Sequence, residues 1–450
     1  LHSTSRRQRQ MCIRDRYQIF PSRFAATEPV DKELWYKAPI TPMDDLHGNL
    51  RGIIEHMDDI QNLGIDVLYM TPIFQSNSCH KYDTTDYYQI DPSFGTTEDL
   101  KELVQKAHER GMKVVLDAVY NHTGREFFAF ADILENGEKS KYRDWYFIDG
   151  FPLKSEWGEI PNFKCFGYYG GMPKLNLKNP EVEKYITDVA CYWIKECDID
   201  GWRLDVGDEI SHFFWKNFRK AVKAVKKDML IIGEIWHYAG DFLEGDEWDT
   251  VMNYPFYLNL IDLLADEKIT VSQFVQNLGY LKGRLHKNCY PLMWNLIDSH
   301  DTARFLHLCN DNKKKQHLAA AFQLLLPGMP MIYYGDEYAM PGANDPDCRR
   351  GMYWDEEYQD KEMYEWYKRL IQVRKSHACI VEGELAGSVT EDEEGTIVLI
   401  RKNGEETIAM IFNCSSSAKK FNEYTQKYNL LTENTFDGNV EGFDAAVIVL

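Results

Sequence analysis

Five short stretches of this chain carry carboxylates, four of them beside a cation, an imidazole or a second acid. They are Asp117-Ala-Val-Tyr-Asn121-His122, Gly201-Trp-Arg203-Leu-Asp205-Val206, Gly233-Glu234-Ile235-Trp236, Asp298-Ser-His300-Asp301 and Tyr334-Gly335-Asp336-Glu337. Two carboxyl groups facing each other across a cleft can split a glycosidic bond, one as proton donor and the other as nucleophile or base. The donor needs a raised pKa, and Glu234 has Ile235 and Trp236 beside it to exclude water. The nucleophile must stay ionised. Arg203 lies two residues before Asp205, on the same side of a strand, where its charge can hold that carboxylate ionised and oriented. The competing explanation is a structural salt-bridge network. Acids at five places, interleaved with Arg203, His122 and His300, favour a site.

Such groups need a scaffold that brings distant segments to one place. From Tyr17 onward, β-rich runs alternate with amphipathic stretches. Strands are predicted over 17–20, 67–70, 113–119, 201–206, 230–235, 250–252, 292–297 and 331–334. Helical patterns fall between most of them, over 46–63, 98–110, 181–197, 211–227 and 316–326. Arg110-Gly111 reads as a helix stop, and Asn179-Pro180-Glu181 as an N-cap, a Pro at the first helical position and an early acid. Eight strands alternating with helices select an α/β fold, a (β/α)₈ TIM barrel, over an open sheet. In that fold the chemistry sits just past the C-terminal strand ends, where the five acidic stretches fall.

Two segments break the alternation. A long aromatic, Gly-rich insert occupies 122–176 after the third strand, and from 377 to 450 short strands suggest a small antiparallel domain. The barrel is then 17–121 with 177–376. Residues 1–16, LHSTSRRQRQMCIRDR, carry five arginines and a single acid, and are read as a foreign or damaged leader outside the fold.

Composition narrows the partners. Apolar residues make up 44% and charged residues 27%, as in a globular protein with a real core. The 71 acidic against 51 basic residues give −20 at pH 7, which argues against nucleic acid, anionic membrane or polyanionic substrate and for a neutral one. The longest apolar run, 318–334, is broken by Pro327, Gly328 and Pro330, so no membrane helix is expected. Aromatics reach 14%, from bulky core packing or from a cleft that stacks flat ligands. Ten cysteines without a Cys-x-x-Cys pair read as reduced thiols rather than a zinc site or disulfide scaffold.

Taken in order, these segments resemble the conserved regions of the α-amylase superfamily, glycoside hydrolase family 13, with the insert in the place of domain B and the last segment in that of domain C. Met172-Pro-Lys-Leu-Asn176 and His80-Lys-Tyr82-Asp-Thr resemble the neopullulanase, cyclomaltodextrinase and maltogenic amylase group. The resemblance implies Asp205 as nucleophile, Glu234 as acid and then base, and Asp301 as stabiliser of a distorted sugar. It further implies Arg203 orienting Asp205, Asp117 supporting Arg203, Tyr82 stacking beneath the reacting sugar, and His122 and His300 bonding its hydroxyls. Asp345 and Arg349 would bind the next donor sugars, while Glu209 and Trp236 would lie towards the acceptor.

The same resemblance implies hydrolysis of α-1,4 and some α-1,6 bonds in maltooligosaccharides, cyclodextrins, pullulan or starch, with transglycosylation. No cofactor is required for that chemistry. Calcium is an option only through Asn121, for which a structural asparagine is the competing reading. Members of the group usually carry an N-terminal β domain that helps form a homodimer, which this chain lacks, so a monomer is expected here and a homodimer for a full-length form. A cytoplasmic location is expected, with secretion left open. The nearest rival is an α-glucosidase or oligo-1,6-glucosidase, which the Met-Pro-Lys-Leu-Asn segment opposes. A non-catalytic partner subunit of the same fold is opposed by the complete set of three carboxylates and the lack of an anchor.

Overall fold

The computed structural model describes residues 15–154 and 160–450. Eight parallel strands form its centre: β1 (Arg16–Ile19), β2 (Val67–Met70), β3 (Lys113–Ala118), β4 (Gly201–Leu204), β5 (Leu230–Gly233), β6 (Thr250–Val251), β7 (Trp294–Asn295) and β8 (Met329–Tyr333). Their order is β6-β5-β4-β3-β2-β1-β8-β7, and a parallel bridge between Met252 and Trp294 joins the two ends into a ring. The (β/α)₈ barrel expected from the alternation is the fold.

Side-chain alternation along each strand divides the apolar residues into two layers. Val67, Tyr69, Val115, Leu230, Ile232, Met329 and Met331 pack inside the ring with Trp294, while Leu68, Met70, Val114, Leu116, Ile231 and Ile332 face the surrounding helices. The helices follow their local signals. Thr96 and Asp99 form a reciprocal capping box at the start of Thr97–Glu109, whose Leu100, Leu103, Val104 and Ala107 make one buried face. The chain then reverses at Gly111, φ +75°, a conformation glycine adopts without strain. Asn179 caps Pro180–Cys197 by accepting from the Glu181 amide. The pattern over 46–63 resolves into two helices, Leu50–Glu55 and Met57–Leu63, meeting at His56.

Beyond the barrel, the described residues of the insert are tied down by isolated bridges, His122 with Lys174 and Tyr146 with Leu175 among them, rather than by a continuous sheet. The C-terminal segment forms a six-stranded sheet. Its strands are β9 (Glu384–Glu391), β10 (Thr396–Asn403), β11 (Glu406–Asn413), β12 (Tyr428–Asn429), β13 (Asn434–Thr435) and β14 (Asp444–Val449), in the order β9-β10-β11-β14-β12-β13.

One expectation needs correction. Residues 1–16 were read as lying outside the fold, yet Asp15 and Arg16 are buried in it, while residues 1–14 lie outside the described residues. Arg16 pairs in register with Val67 and Met331, and its guanidinium lies 5.0 Å over the Trp294 ring inside the barrel. Asp15 accepts an ion-pair contact from Arg374 Nε at 3.2 Å, and its amide donates to Asp66 Oδ2 at 3.2 Å. Two charges that looked incompatible with a barrel strand are thus neutralised by a buried cation and an aromatic face. Burial pushes the Asp15 carboxyl up to about 6, against the pull of Arg374. Replacing one partner of a buried pair strands the other, so Asp15→Asn is expected to lower the unfolding free energy at pH 7 by about 3–5 kcal/mol in urea titrations. A loss below about 1 kcal/mol would return Asp15 to a dispensable leader.

Candidate active site

The register of the barrel sets the centre of the site. Asp117 on β3 is the direct neighbour of Arg203 on β4, and both side chains are buried. Arg203 Nη1 donates to Asp117 Oδ1 and Oδ2 at 3.2 and 3.1 Å and to Asp205 Oδ1 at 2.9 Å. Its Nη2 lies 2.9 Å from Glu234 Oε2 and 3.8 Å from Asp301 Oδ2. One guanidinium therefore gathers four carboxylates from four strand ends. Burial raises Asp205 well above the usual carboxylate range, the Glu234 charge adds to this, and Arg203 opposes it. Burial also pushes Asp117 up to about 6 and raises Asp301, with Arg203 opposing both. Protons in such a cluster belong to the group rather than to one residue.

The backbone sharpens this arrangement. β4 ends at Leu204, Asp205 follows it, and Val206 then takes φ +47°, a left-handed conformation that strains a β-branched residue by about 1–3 kcal/mol. The turn aims the Val206 amide at Glu234 Oε2, 3.0 Å away. Gly233 precedes Glu234 because any Cβ there would lie 2.2 Å from the Trp248 ring, which covers the end of β5. Ile235 and Trp236 were expected to wall Glu234 off from water. Instead Ile235 packs into the helix layer, and Trp236 donates its indole N–H to Glu234 Oε1 at 3.2 Å while lying flat on Tyr254, centroids 3.9 Å apart.

A cleft of about 440 Å³ opens above these carboxylates, within the usual range for small-molecule sites. His80, Tyr82, His122, Asp205, Glu234, Trp236, Asp301, Asp345 and Arg349 line it, together with Phe166 and Met172 from the insert. Arg349 pairs with Asp345 at 2.7 Å, and its Nε donates to the His300 carbonyl at 2.8 Å. Asp117, Arg203 and His300 form the floor beneath. Glu209 stands apart: it sits in the turn Gly207–Glu209 and pairs with Lys174 of the insert at 2.6 Å. The acids after β8 also lie elsewhere, Asp336 against Arg304 at 3.0 Å and Glu337 against Tyr17 Oη at 2.5 Å. For Asp336 the salt-bridge reading holds, whereas Glu337 accepts a hydrogen bond from a neutral phenol.

Asn121, the position at which calcium was an option, sits in the floor of this region. Asn121 is buried with Oδ1 unpartnered among the described residues, but the nearby carboxylate, Glu209, already holds the Lys174 ammonium.

Sequence reasoning missed a chain of hydrogen bonds under the cleft. Gln18 Nε2 donates to His300 Nδ1 at 2.7 Å, which places the proton on Nε2, 2.5 Å from Tyr82 Oη. Tyr82 donates in turn to Asp117 Oδ2 at 3.1 Å, which also accepts from Tyr69 Oη at 2.7 Å. Gln18 and Tyr69 occupy inward positions of β1 and β2, so two-residue alternation was the signal that could have found them. His300 is driven well below its ordinary pKa by burial and by the Arg349 and Arg203 charges, and burial brings His122 down to about 3. Both imidazoles are expected to stay neutral, giving flat ring-carbon NMR shifts between pH 5 and 8. A titration step from either within that window would contradict the buried hydrogen-bond arrangement.

Comparison with known proteins agrees with this geometry. The family model described as Alpha amylase, catalytic domain, matches residues 18–383. A cyclomaltodextrinase of Geobacillus thermopakistaniensis is 47% identical over 406 residues, covering 89% of this chain and 69% of that protein. Neopullulanase 2 of Thermoactinomyces vulgaris is 43% identical over 403 residues, covering 88% and 68%. Among solved structures, the ligand-free cyclic α-maltosyl-(1→6)-maltose hydrolase of Arthrobacter globiformis superposes with a TM-score of 0.89 at 35% identity, over 98% of this chain and 99% of that one. With the catalytic-domain match spanning most of its length, the chain belongs to the α-amylase family of glycoside hydrolases.

Proposed function

We propose that this chain hydrolyses α-1,4 and some α-1,6 glucosidic bonds of neutral α-glucans, with net retention at the anomeric carbon. The observation that carries the reading is the shared guanidinium: Asp205 and Glu234 contact neighbouring nitrogens of Arg203 and face one cleft. Retaining enzymes hold their two carboxyls about 5–5.5 Å apart, closer than inverting enzymes do. Asp205 Oδ1 is held by Arg203, while Oδ2 has no hydrogen-bond partner among the described residues.

In the first step Asp205 Oδ2 bonds to the anomeric carbon as the glycosidic C–O bond breaks, and the leaving oxygen takes the Glu234 proton. In the second, water gives its proton to Glu234 and its oxygen to the anomeric carbon, releasing Asp205. Asp301 stabilises the distorted ring through its hydroxyls. Tyr82 stacks beneath it, with His122 and His300 beside it, and Asp345 with Arg349 holds the donor side. Relatives named for cyclodextrins, pullulan and a mixed-linkage cyclic glucan support a substrate range that includes cyclic and branched α-glucans. Nine free cysteines among the described residues support a reducing, cytoplasmic setting. No helix among the described residues is long and apolar enough to cross a membrane.

Asp205→Asn and Glu234→Gln are each expected to lower kcat on maltotriose by several powers of ten with thermal midpoints unchanged within a few degrees. Proton NMR of the first turnovers should show the α-anomer, and β-anomer appearing first from an α-linked substrate would refute retention. Glu209 is assigned to the acceptor side, acting on water or an incoming hydroxyl. Glu209→Gln is therefore expected to change the ratio of transfer to hydrolysis products at fixed maltotriose. An unchanged ratio would leave Glu209 only its tie to Lys174.

A further inference from the structure

Beside the catalytic cluster lies a second group of buried acids that the reaction does not use, Asp298, Asp336 and Glu337. Asp298 stands at the base of the turn that carries His300 and Asp301. Its Oδ2 accepts from the Phe305 amide at 2.7 Å, which closes the turn. Inside it the Ser299 amide donates to Thr302 Oγ1 at 3.0 Å and the Asp301 amide to Ser299 Oγ at 3.2 Å. Asp336 begins the turn Asp336–Tyr338 after β8, and its Oδ1 accepts from Arg304 Nη1 at 3.0 Å. Arg304 also donates from Nε to the Cys348 carbonyl at 3.1 Å, next to Arg349 of the cleft.

Each of the two aspartates keeps one buried oxygen that no N–H or hydroxyl reaches among the described residues, Oδ1 of Asp298 and Oδ2 of Asp336. The two carboxyl groups nevertheless make side-chain hydrogen-bond contact with each other. A carboxylate oxygen only accepts, so this contact needs a proton on one partner. The charges require the same. Arg304 brings one positive charge to two acids in a dry site, where neighbouring carboxylates cannot both ionise. The other groups facing the pair are no cations: Glu337 is held by Tyr17 and by the Gly335 amide, and Tyr257 and Tyr367 are phenols whose burial keeps them neutral. Burial raises both aspartates, against the pull of Arg304, and the proton belongs to the pair. We propose that Asp298 and Asp336 share one proton at neutral pH, and that this acid–acid hydrogen bond makes them positioning residues, tying the turn of His300 and Asp301 to the segment after β8. The positioning role rests on the glycosidase reading above; the shared proton does not.

Asp336→Asn tests both parts. The amide can accept from Arg304 through its oxygen and donate to Asp298 through its nitrogen, which keeps the hydrogen bond without a titrating proton. A carboxyl raised in the native state loses its contribution to stability as pH rises. Urea unfolding at pH 6, 7 and 8 is therefore expected to show wild-type stability falling relative to Asp336→Asn, with a slope difference of about one proton. Parallel pH dependences mean that no proton is shared and overturn the proposal. On maltotriose, Asp336→Ala is expected to lower kcat about ten-fold or more with KM within about two-fold, and Asp336→Asn to recover kcat to within about three-fold of wild type. Circular dichroism melting checks that each variant is folded, and should Asp336→Ala fail to fold, the slope for Asp336→Asn still decides. Wild-type kcat in Asp336→Ala, or an Asp336→Asn protein as slow as Asp336→Ala, overturns the positioning role. Failure of the wild-type chain to cleave any α-glucan overturns the glycosidase reading and leaves the slope comparison intact.

Discussion

A single buried guanidinium organises this molecule. Arg203 has no access to water and pays for its desolvation only through the carboxylates around it, Asp117, Asp205, Glu234 and Asp301. Four acids around one cation are too many to be fully ionised together in a dry site, and burial accordingly raises Asp117, Asp205 and Asp301. The site thus holds protons in reserve while keeping Asp205 and Glu234 oriented. The barrel is what makes this arrangement attainable, because only a closed parallel sheet delivers several strand ends to one rim.

The periphery serves the same cation. Tyr69, Tyr82 and the Gln18–His300 pair converge on Asp117, so residues from β1, β2 and the segment after β7 fix the acid that neutralises Arg203 from below. On the opposite side the insert contributes Phe166 and Met172 to the cleft and sends Lys174 to Glu209. Removing the insert would expose the cleft and release Glu209 together. The insert is therefore part of the cleft's wall, although no continuous sheet of its own holds it in shape among the described residues.

Much of this was legible in the sequence, for reasons that differ by residue. The strand pattern identified the barrel because helical periodicity falls between most of the strands, and the acids stood out because they follow apolar runs. Boundaries shifted where function intervenes: Asp205, Glu234 and Asp301 lie just past the ladders, on backbone that leaves the sheet to aim them. Gln18 and Tyr69 were overlooked because a polar or aromatic residue inside a strand carries no motif, only a position. Asp15 and Arg16 were misread because a charge in a core is normally an error, and nothing local reveals that Arg374, 359 positions away along the chain, is waiting for it. Long-range compensation of this kind is invisible to any windowed reading.

The closure of the ring has its own consequence. β6 and β7 are two residues each, and they meet through the single bridge from Met252 to Trp294, helped by the Asn253 amide donating to the Trp294 carbonyl at 2.8 Å. Elsewhere neighbouring strands share up to four register positions. A cylinder stitched so unevenly has a seam, and local opening costs least where the fewest hydrogen bonds must break. Amides along that seam are expected to exchange with solvent before those of the longer ladders. The seam runs beneath the Tyr254 ring that backs Trp236, so the Glu234 side of the cleft rests on the least-bonded staves of the barrel.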